Sequence, residues 1–178
     1  QTMTDGTGVT AYTYHAAGQL GAGQVASVDG PLPNDTITYV YDSVGRVATW
    51  SINSVPLTLG YDALGRVTQE TNALGTFTYG YDGMSGRLAS VSYPNGQTSA
   101  YNYFPTAQDH RLQTIHHRLP DQTTLSRFDY TYDVVGNIVT WQQQAGTAAP
   151  ELWRYAYDPA DQLTAAITQT TDPTPTIL

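Results

Sequence analysis

The chain has 178 residues and carries 15 acidic against 7 basic side chains, for a net charge of −8. The acidic residues are almost all aspartates and lysine is absent, so the usual fillers of exposed helix faces are scarce. This charge balance argues against nucleic acid and anionic membranes as partners, and the lack of cysteine excludes disulfides and thiolate metal sites.

A short motif, Tyr-x-Tyr followed by a turn and an aliphatic residue, recurs along the chain. In chain order its seven copies span residues 12–20, 39–47, 59–67, 79–88, 101–112, 130–138 and 155–163. Thirteen of the 14 tyrosines lie in these copies: Tyr12, Tyr14, Tyr39, Tyr41, Tyr61, Tyr79, Tyr81, Tyr101, Tyr103, Tyr130, Tyr132, Tyr155 and Tyr157. Because tyrosine suits a pleated, half-buried surface, the repetition predicts an all-β fold of tandem antiparallel hairpins.

The turn of the motif has a mechanical explanation. An aspartate at the first position accepts hydrogen bonds from the backbone two residues on, and a glycine at the fourth position takes the left-handed conformation. This combination predicts a hairpin with a G1 bulge, in which Tyr41 lies opposite Val47 and Tyr39 opposite Thr49. The residues to which we assign this turn role are Asp42, Gly45, Arg46, Asp62, Gly65, Arg66, Asp82, Gly86, Arg87, Asp133, Gly136, Asp158 and Asp161.

The fourth, fifth and seventh copies depart from the turn of the motif. In the fourth copy the turn has one extra residue, and in the fifth a long irregular loop from Phe104 to His110 takes its place. The last copy replaces the glycine by Asp161, a residue type that tolerates the left-handed region.

Period-two alternation assigns the two faces of the predicted sheet. One face collects the tyrosines, and the other is small or polar. The aliphatic residue after each turn is expected on the tyrosine face: Leu20, Val47, Val67, Leu88, Leu112, Ile138 and Leu163. A second set of turns between the motifs gives a meander of about fourteen strands, expected to form a curved or spiral strip. We expect residues 1–178 to be a single array of about seven repeats, cut from a longer polypeptide.

The motif Tyr-x-Tyr-Asp-x-x-Gly-Arg-Val/Leu, together with Ser-Tyr-Pro-Asn-Gly at residues 92–96, resembles the RHS or YD repeat of bacterial and teneurin-type surface proteins. The similarity extends from Tyr12 to Leu163. It implies hairpins wound into a spiral sheet that closes into a hollow shell, around a toxin in the bacterial proteins and as an adhesive extracellular barrel in teneurins. Those shells use several times more repeats, so the resemblance implies a piece of wall. The self-cleaving segment of that family has no match here, because Asp158-Pro159 begins an ordinary seventh turn. The sequence likewise shows no match to the toxin of that family.

Several residue types allow a chemical interpretation beside a structural one. The repeated aspartates could form a carboxylate row and the repeated arginines an anion groove, but turn capping and cross-strand pairing explain both. His110, His116 and His117 are the clustered histidines, and the adjacent pair faces opposite sides of a strand, which suits a metal ion poorly. No nucleophile elbow or phosphate loop is present. We therefore assign no catalytic residue, metal or cofactor. The tyrosine ladder could be a glycan platform or, as we favour, core.

These patterns favour a structural wall of a secreted or cell-surface protein, not an enzyme. The rival hypothesis is an extracellular adhesion module that binds glycans or a receptor. Expected partners are neighbouring repeats, further copies of the chain, an enclosed polypeptide cargo or a surface glycan, without nucleic acid or membrane insertion. Because no lysine protects the sheet edges, we expect the isolated chain to add copies edge to edge as a fibre.

Overall fold

The computed structural model describes residues 1–169, and the all-β prediction is confirmed there. The strands are β1 Thr2–Asp5, β2 Gly8–Tyr14, β3 Val25–Asp29, β4 Ile37–Tyr41, β5 Val47–Ile52, β6 Val55–Tyr61, β7 Val67–Asn72, β8 Gly75–Tyr81, β9 Leu88–Ser92, β10 Thr98–Tyr103, β11 Leu112–Arg118, β12 Thr124–Tyr132, β13 Ile138–Ala145, β14 Glu151–Tyr157 and β15 Leu163–Gln169. The helical content of this range is one 3₁₀ turn, Thr106–Gln108. None of its helices is long and apolar enough to cross a membrane.

The order of the strands in the sheet is their order in the sequence, so the fold is an antiparallel meander. The chain divides into two compact units, Gln1–Thr78 and Tyr79–Leu178, with the boundary inside β8. The sheet has fifteen strands where the motif predicts about fourteen, because β1 forms an extra hairpin with β2. The curvature and the single-array organisation stay predictions.

The tyrosine and the aliphatic residue that flank each turn pair directly. Tyr41 lies opposite Val47, Tyr61 opposite Val67 and Tyr132 opposite Ile138. Directly opposed residues of an antiparallel pair project from the same face. The tyrosine and the post-turn aliphatic residue therefore share one face of the sheet, here called the aromatic face.

Beyond the G1 bulge of the turn, a second bulge of one residue follows each of these pairs in the strand, and the sequence motif does not show it. Beyond the Tyr41–Val47 pair the register shifts, so that Val40 lies opposite Thr49 and Ala48 has no partner. The prediction that Tyr39 lies opposite Thr49 is therefore wrong: its partner is Trp50. Since one inserted residue moves all later side chains to the other face, the bulge turns Trp50 onto the aromatic face. The bulged residues are Ala26, Ala48, Thr68, Gln113, Val139 and Thr164.

The first hairpin departs from the prediction at its turn. Residues 15–24 form a loop, Leu20 lies in it with 57% of its surface exposed, and Val25 is the residue opposite Tyr14. The expected place of Leu20 on the aromatic face is therefore wrong. The loop is anchored instead by His15, whose Nε2 is 2.9 Å from the carbonyl oxygen of Tyr39.

Burial is slight on both faces. In residues 1–168 the side chains that are less than 9% exposed are Tyr41, Val91, Ser99 and Thr114. The aromatic face is otherwise half-buried, and the interpretation of its tyrosines as core holds for Tyr41 alone. The opposite face carries cross-strand hydroxyl pairs, among them Thr71 and Thr76 with 3.0 Å between their Oγ1 atoms.

Candidate functional site

The turn edge, where the Asp turns follow one another, carries the most regular chemistry of the molecule. In the second hairpin Asp42 Oδ1 accepts hydrogen bonds from the backbone N–H groups of Val44 (3.0 Å) and Arg46 (2.9 Å). Its Oδ2 accepts one from Nε of Arg46 at 2.7 Å. The third hairpin repeats this arrangement with Asp62, Leu64 and Arg66 at 2.9, 3.0 and 2.7 Å. Each aspartate thus closes its own turn and fixes its own arginine.

The electrostatics of these turns follow from the same contacts. For Asp62, the hydrogen bond from the backbone of Arg66 is the largest influence and lowers the pKa, partial desolvation opposes it, and the Arg66 side chain lowers the pKa further. For Asp42, desolvation is the largest single influence and raises the pKa, but the combined bonds from Arg46 and Val44 outweigh it, so the pKa is lowered. These carboxylates therefore stay ionised as turn caps.

The glycines at the fourth turn position take the left-handed conformation in the regular hairpins. Gly45, Gly65 and Gly136 have φ of 85, 81 and 108°, and Asp161 has φ of 60°. In the fourth hairpin the left-handed residue is Gly83, with φ of 55°, and not Gly86. Its extra residue shifts the turn, although the Asp82–Arg87 ion pair remains at 2.7 Å.

The sixth and seventh turns keep the aspartate without an arginine. Asp133 accepts hydrogen bonds from the backbone N–H groups of Val135, Gly136 and Asn137 at 3.0, 2.8 and 2.9 Å. Nδ2 of Asn137 also donates to Asp161 Oδ1 of the next turn at 2.9 Å. Asp158 accepts bonds from the backbone N–H groups of Ala160 and Gln162 at 2.9 and 3.0 Å.

A second contact links the second, third, fifth and seventh hairpins to the hairpin before each of them. The hydroxyl of the tyrosine next to the turn donates to the carbonyl of the first strand residue after the preceding turn. The donors and acceptors are Tyr41 and Val25 (2.9 Å), Tyr61 and Val47 (2.7 Å), Tyr103 and Leu88 (2.8 Å), and Tyr157 and Ile138 (3.0 Å). This carbonyl precedes the bulge, or its equivalent position, where the strand ladder is interrupted. We call this contact the tyrosine link.

In three hairpins an arginine of the preceding hairpin or loop packs over the ring of the tyrosine next to the turn. The guanidinium of Arg46 lies 4.3 Å from the ring centre of Tyr61, and that of Arg87 lies 5.3 Å from Tyr103. Arg111 lies 5.7 Å from Tyr132. An arginine held by its aspartate therefore packs on the next hairpin, a cation–π contact of about 0.5–1 kcal/mol at exposed sites.

The remaining ladder tyrosines lie on the aromatic face or at its margin. Tyr12, Tyr39, Tyr79, Tyr81, Tyr101, Tyr130 and Tyr155 are half-buried, and Tyr14 is exposed. Desolvation, the largest influence, raises the pKa of Tyr101, Tyr130 and Tyr155. The raised pKa keeps these three phenols neutral at physiological pH.

The structure brings together residues that the sequence spacing does not suggest. Ser99, 1% exposed, lies 2.6 Å through Oγ from Nδ1 of His117 and 3.2 Å from the hydroxyl of Tyr93. A serine beside a histidine is half of a nucleophilic site. The burial of Ser99 keeps substrate away from it, so this arrangement is structural.

The clustered histidines do not converge. His116 and His117 alternate along β11, and His110 lies in the irregular loop with Nε2 3.1 Å from Oγ1 of Thr106. Desolvation, followed by the charges of Arg118 and Arg127, lowers the pKa of His116. Over residues 1–169, no three His, Asp or Glu side chains come close enough together to hold a metal ion.

Comparison with known proteins supports the repeat and the fold described above. Residues 61–98 match the RHS repeat family, which confirms the resemblance for that stretch. The crystal structure of TcdB2-TccC3-Cdc42 matches with a TM-score of 0.67 and 22% identity, covering 89% of this chain and 9% of that one. That of TcdB2-TccC3-TEV matches with a TM-score of 0.61 and 17% identity over 96% of this chain and 12% of that one.

A third structure, TcdB2-TccC3 without its hypervariable C-terminal region, gives a TM-score of 0.64 and 21% identity over 89% of this chain and 9% of that one. At these identities the likeness shows the fold. The chain spans about a tenth of the length of the chains that it matches. No curated protein sequence matches it.

Proposed function

We propose that this chain is a non-catalytic wall segment of a secreted or cell-surface protein of the RHS/YD type. The RHS repeat at residues 61–98 and the fold shared with TcdB2-TccC3 support a structural segment of this kind. The wall is the single β-sheet, and we propose that it separates the enclosed space from the solvent outside.

The tyrosine link is the observation that carries this proposal. It joins consecutive hairpins through groups that the repeat itself supplies, the hydroxyl of the tyrosine just before the turn of one motif and the carbonyl just after the turn of the preceding motif. Such nearest-neighbour contacts can be extended by adding repeats, which is how repeat proteins build large surfaces. In a catalytic domain, by contrast, polar groups from several elements would meet at one site.

The partial exposure of the aromatic face supports the proposal that another layer covers this face. An apolar sheet face is stable when another layer covers it, and here Tyr41 and Val91 are the apolar side chains below 9% exposure in residues 1–168. We propose that an enclosed polypeptide covers this face in the full-length protein. Cdc42 is named beside TcdB2 and TccC3 in one similar structure, which fits a shell with a further protein component. In the isolated chain, a second copy would cover the face.

Two exposed aliphatic residues on opposite faces allow a matched test. Ile52, 42% exposed, lies opposite Ile37 on the aromatic face, whereas Val40, 53% exposed, projects from the other face. Sedimentation velocity of the full chain should show association that increases with concentration. Ile52→Ser should weaken the association, and Val40→Ser should leave it unchanged.

A folded wild-type chain that stays monomeric at every concentration would contradict the covering of the aromatic face. Equal weakening by both substitutions would also contradict it, because association would then not depend on that face. Far-ultraviolet circular dichroism of each variant checks that the sheet is intact.

A further inference from the structure

A small positive cluster lies in the second unit, on the sheet face opposite the aromatic face, here called the polar face. Ile115 lies opposite Phe128 on the aromatic face. Since side chains alternate along a strand, His116 and Arg118 of β11 project from the polar face. Arg127 lies opposite His116 and shares that face. The cluster contrasts with the net charge of −8 on the chain.

The two arginines of the cluster differ in their partners. Arg127 donates from Nε to Asp129 Oδ2 at 2.8 Å and from Nη2 to Asp129 Oδ1 at 2.9 Å. Asp129 also accepts a hydrogen bond from Oγ1 of Thr114 at 2.7 Å, so both of its oxygens are occupied. Arg118 is half-buried, and its guanidinium makes no hydrogen bond or ion pair with residues 1–168. A guanidinium that is partly withdrawn from water without an acceptor is unfavourable, and a bound anion would relieve this cost.

A bulge in β12 places a hydroxyl group beside Arg118. The register between β11 and β12 shifts at Leu125, which has no residue opposite it, so Thr124 lies opposite Arg118. Oγ1 of Thr124 is 3.0 Å from Nε2 of His116, as expected for two side chains on the polar face. On the other side of β11, Thr98 of β10 lies opposite Arg118. Threonines of two neighbouring strands therefore flank the Arg118 side chain.

The electrostatic field at His116 is positive. Desolvation is the largest influence that lowers the pKa of His116, and the charges of Arg118 and Arg127 lower it further. Asp129 opposes them, and His117 adds a smaller lowering effect. The residues of β10 that pair with β11 at this position carry no charge. His116 is therefore neutral at neutral pH, and the uncompensated charge of the cluster is that of Arg118.

This arrangement suits a compact tetrahedral anion. A planar guanidinium can donate to two oxygens of one anion, and the flanking hydroxyls can donate to others. A carboxylate has two oxygens and would use the guanidinium alone, whereas phosphate and sulfate have four. An extended polyanion is disfavoured because the chain as a whole is acidic. We propose that Arg118, with Thr98, Thr124 and His116, binds a tetrahedral oxyanion, phosphate or sulfate. This site lies apart from the aromatic face and does not depend on its covering.

NMR titration of the ¹⁵N-labelled full chain at constant ionic strength tests the proposal. The probes are inorganic sulfate, inorganic phosphate, methyl phosphate and, as the carboxylate control, acetate. The tetrahedral anions should shift the signals of Arg118 and His116 saturably, and acetate should bind roughly tenfold more weakly because it lacks the oxygens that the hydroxyls reach. Methyl phosphate separates two sources of the same chemistry. Binding as tight as that of phosphate indicates a phosphate group carried by a larger molecule, and much weaker binding indicates the free ion.

Substitutions at the cluster should weaken sulfate binding in a graded way. Arg118→Gln should weaken it roughly tenfold or more, because charge-assisted hydrogen bonds are lost, and Arg118→Lys should weaken it less. Thr124→Val, which removes one hydroxyl, should weaken it roughly two- to tenfold. Arg154→Gln removes the same charge from the polar face at β14, opposite Thr140, and should leave the affinity unchanged.

The ring signals of His116 give a second readout. A bound anion favours the imidazolium, so saturating sulfate should raise the pKa of His116, and sulfate binding should tighten as the pH falls through that pKa. Absence of saturable shifts in the folded wild type would overturn the proposal. Acetate binding as tight as phosphate binding would also overturn it, as would equal effects of Arg118→Gln and Arg154→Gln. If Arg118→Gln does not fold, Arg118→Lys and Thr124→Val decide the question against the same control.

Discussion

The third and fifth hairpins have the same frame and different turns. The third closes with the five residues Asp62–Arg66, capped by a carboxylate and a left-handed glycine. The fifth closes with Phe104–Arg111, which has neither. Yet Tyr61 lies opposite Val67 and Tyr103 opposite Leu112, each with a bulge one residue later. Both tyrosine hydroxyls donate to the preceding hairpin, at 2.7 and 2.8 Å.

The comparison indicates that the strand frame, and not the turn, specifies each hairpin. A tyrosine, its aliphatic partner, the bulge and the tyrosine link recur whether the turn is regular or irregular. The turn is therefore a position where the repeat can accept an insertion without losing its register, as loops generally do. An open cleft lies beside Phe104–Arg111 and is the kind of local feature that such an insertion can build.

Removal of the linking tyrosine should have the largest effect, and an equal one in both hairpins. Tyr61→Ala and Tyr103→Ala should each lower the free energy of unfolding by about 3 kcal/mol, the low end for loss of an aromatic side chain because these rings are half-buried. Urea unfolding of the two variants measures this. The hydroxyl alone, removed by Tyr61→Phe or Tyr103→Phe, should account for about 1 kcal/mol. A much smaller loss at Tyr103 would mean that the irregular hairpin has a different frame.

The sequence predicts the frame well, because the motif is local and repeated. The Tyr41–Val47 pair and the turn of Gly45 both follow from residues close together in the chain. The second bulge, in the strand after the turn, could not be predicted, because the carbonyl beside it is satisfied by a tyrosine of the next hairpin and no residue type marks the bulged position. As a result, the prediction placed Thr49, and not Trp50, opposite Tyr39.

Glu70 shows the consequence of that error. Strict alternation beyond Val67 would place this charged residue on the polar face, yet the bulge at Thr68 puts it opposite Leu59 and Phe77 on the aromatic face. There its Oε1 accepts a hydrogen bond from Nδ2 of Asn72 at 2.8 Å. The open cleft beside the irregular loop was equally hidden, since its lining residues come from β9, β10, β11 and the turns before β9 and β11.

The regular turn should depend on its glycine. Gly65→Ala should lower the free energy of unfolding by about 1–2 kcal/mol, because φ of 81° places a Cβ in the left-handed region. An added Cβ would lie 3.7 Å from Nη1 of Arg46, so the cost is conformational and not a clash. Gly86→Ala is the control, because Gly86 does not have a positive φ and its Cβ position is open. Equal losses in the two variants would refute the turn geometry.

The irregular loop should respond in the opposite direction. His110→Gly removes a side chain from a residue with φ of 51° and should raise the free energy of unfolding by up to about 1 kcal/mol. Loss of the contact with Thr106 offsets part of this gain. Denaturant melts against wild type measure the change, and a clear loss of stability would show that the loop is not strained at this residue.

The pH dependence of the two hairpins should differ slightly. The pKa of Asp62 is lowered in the folded chain, first by the backbone hydrogen bond from Arg66, against desolvation, and then by the Arg66 side chain. A lowered folded pKa contributes stability that is present above the unfolded value of about 3.9 and is lost as pH falls through the folded pKa. Asp62→Asn should therefore be less stable than wild type at neutral pH and approach it in acid. Phe104, at the corresponding position, does not titrate. The free energy of unfolding of Phe104→Leu should therefore differ from that of wild type by the same amount at both pH values.

Hydrogen exchange of a loop-exchange chain, in which Phe104→Asp is combined with replacement of residues 105–110 by Ala-Leu-Gly, tests most directly whether the frame specifies the hairpin. The amides of β10 and β11 should keep their wild-type protection, because Tyr103, Leu112 and the link to Leu88 are unchanged. Loss of protection across Thr98–Tyr103 and Leu112–Arg118 in a chain that remains folded elsewhere would contradict the account.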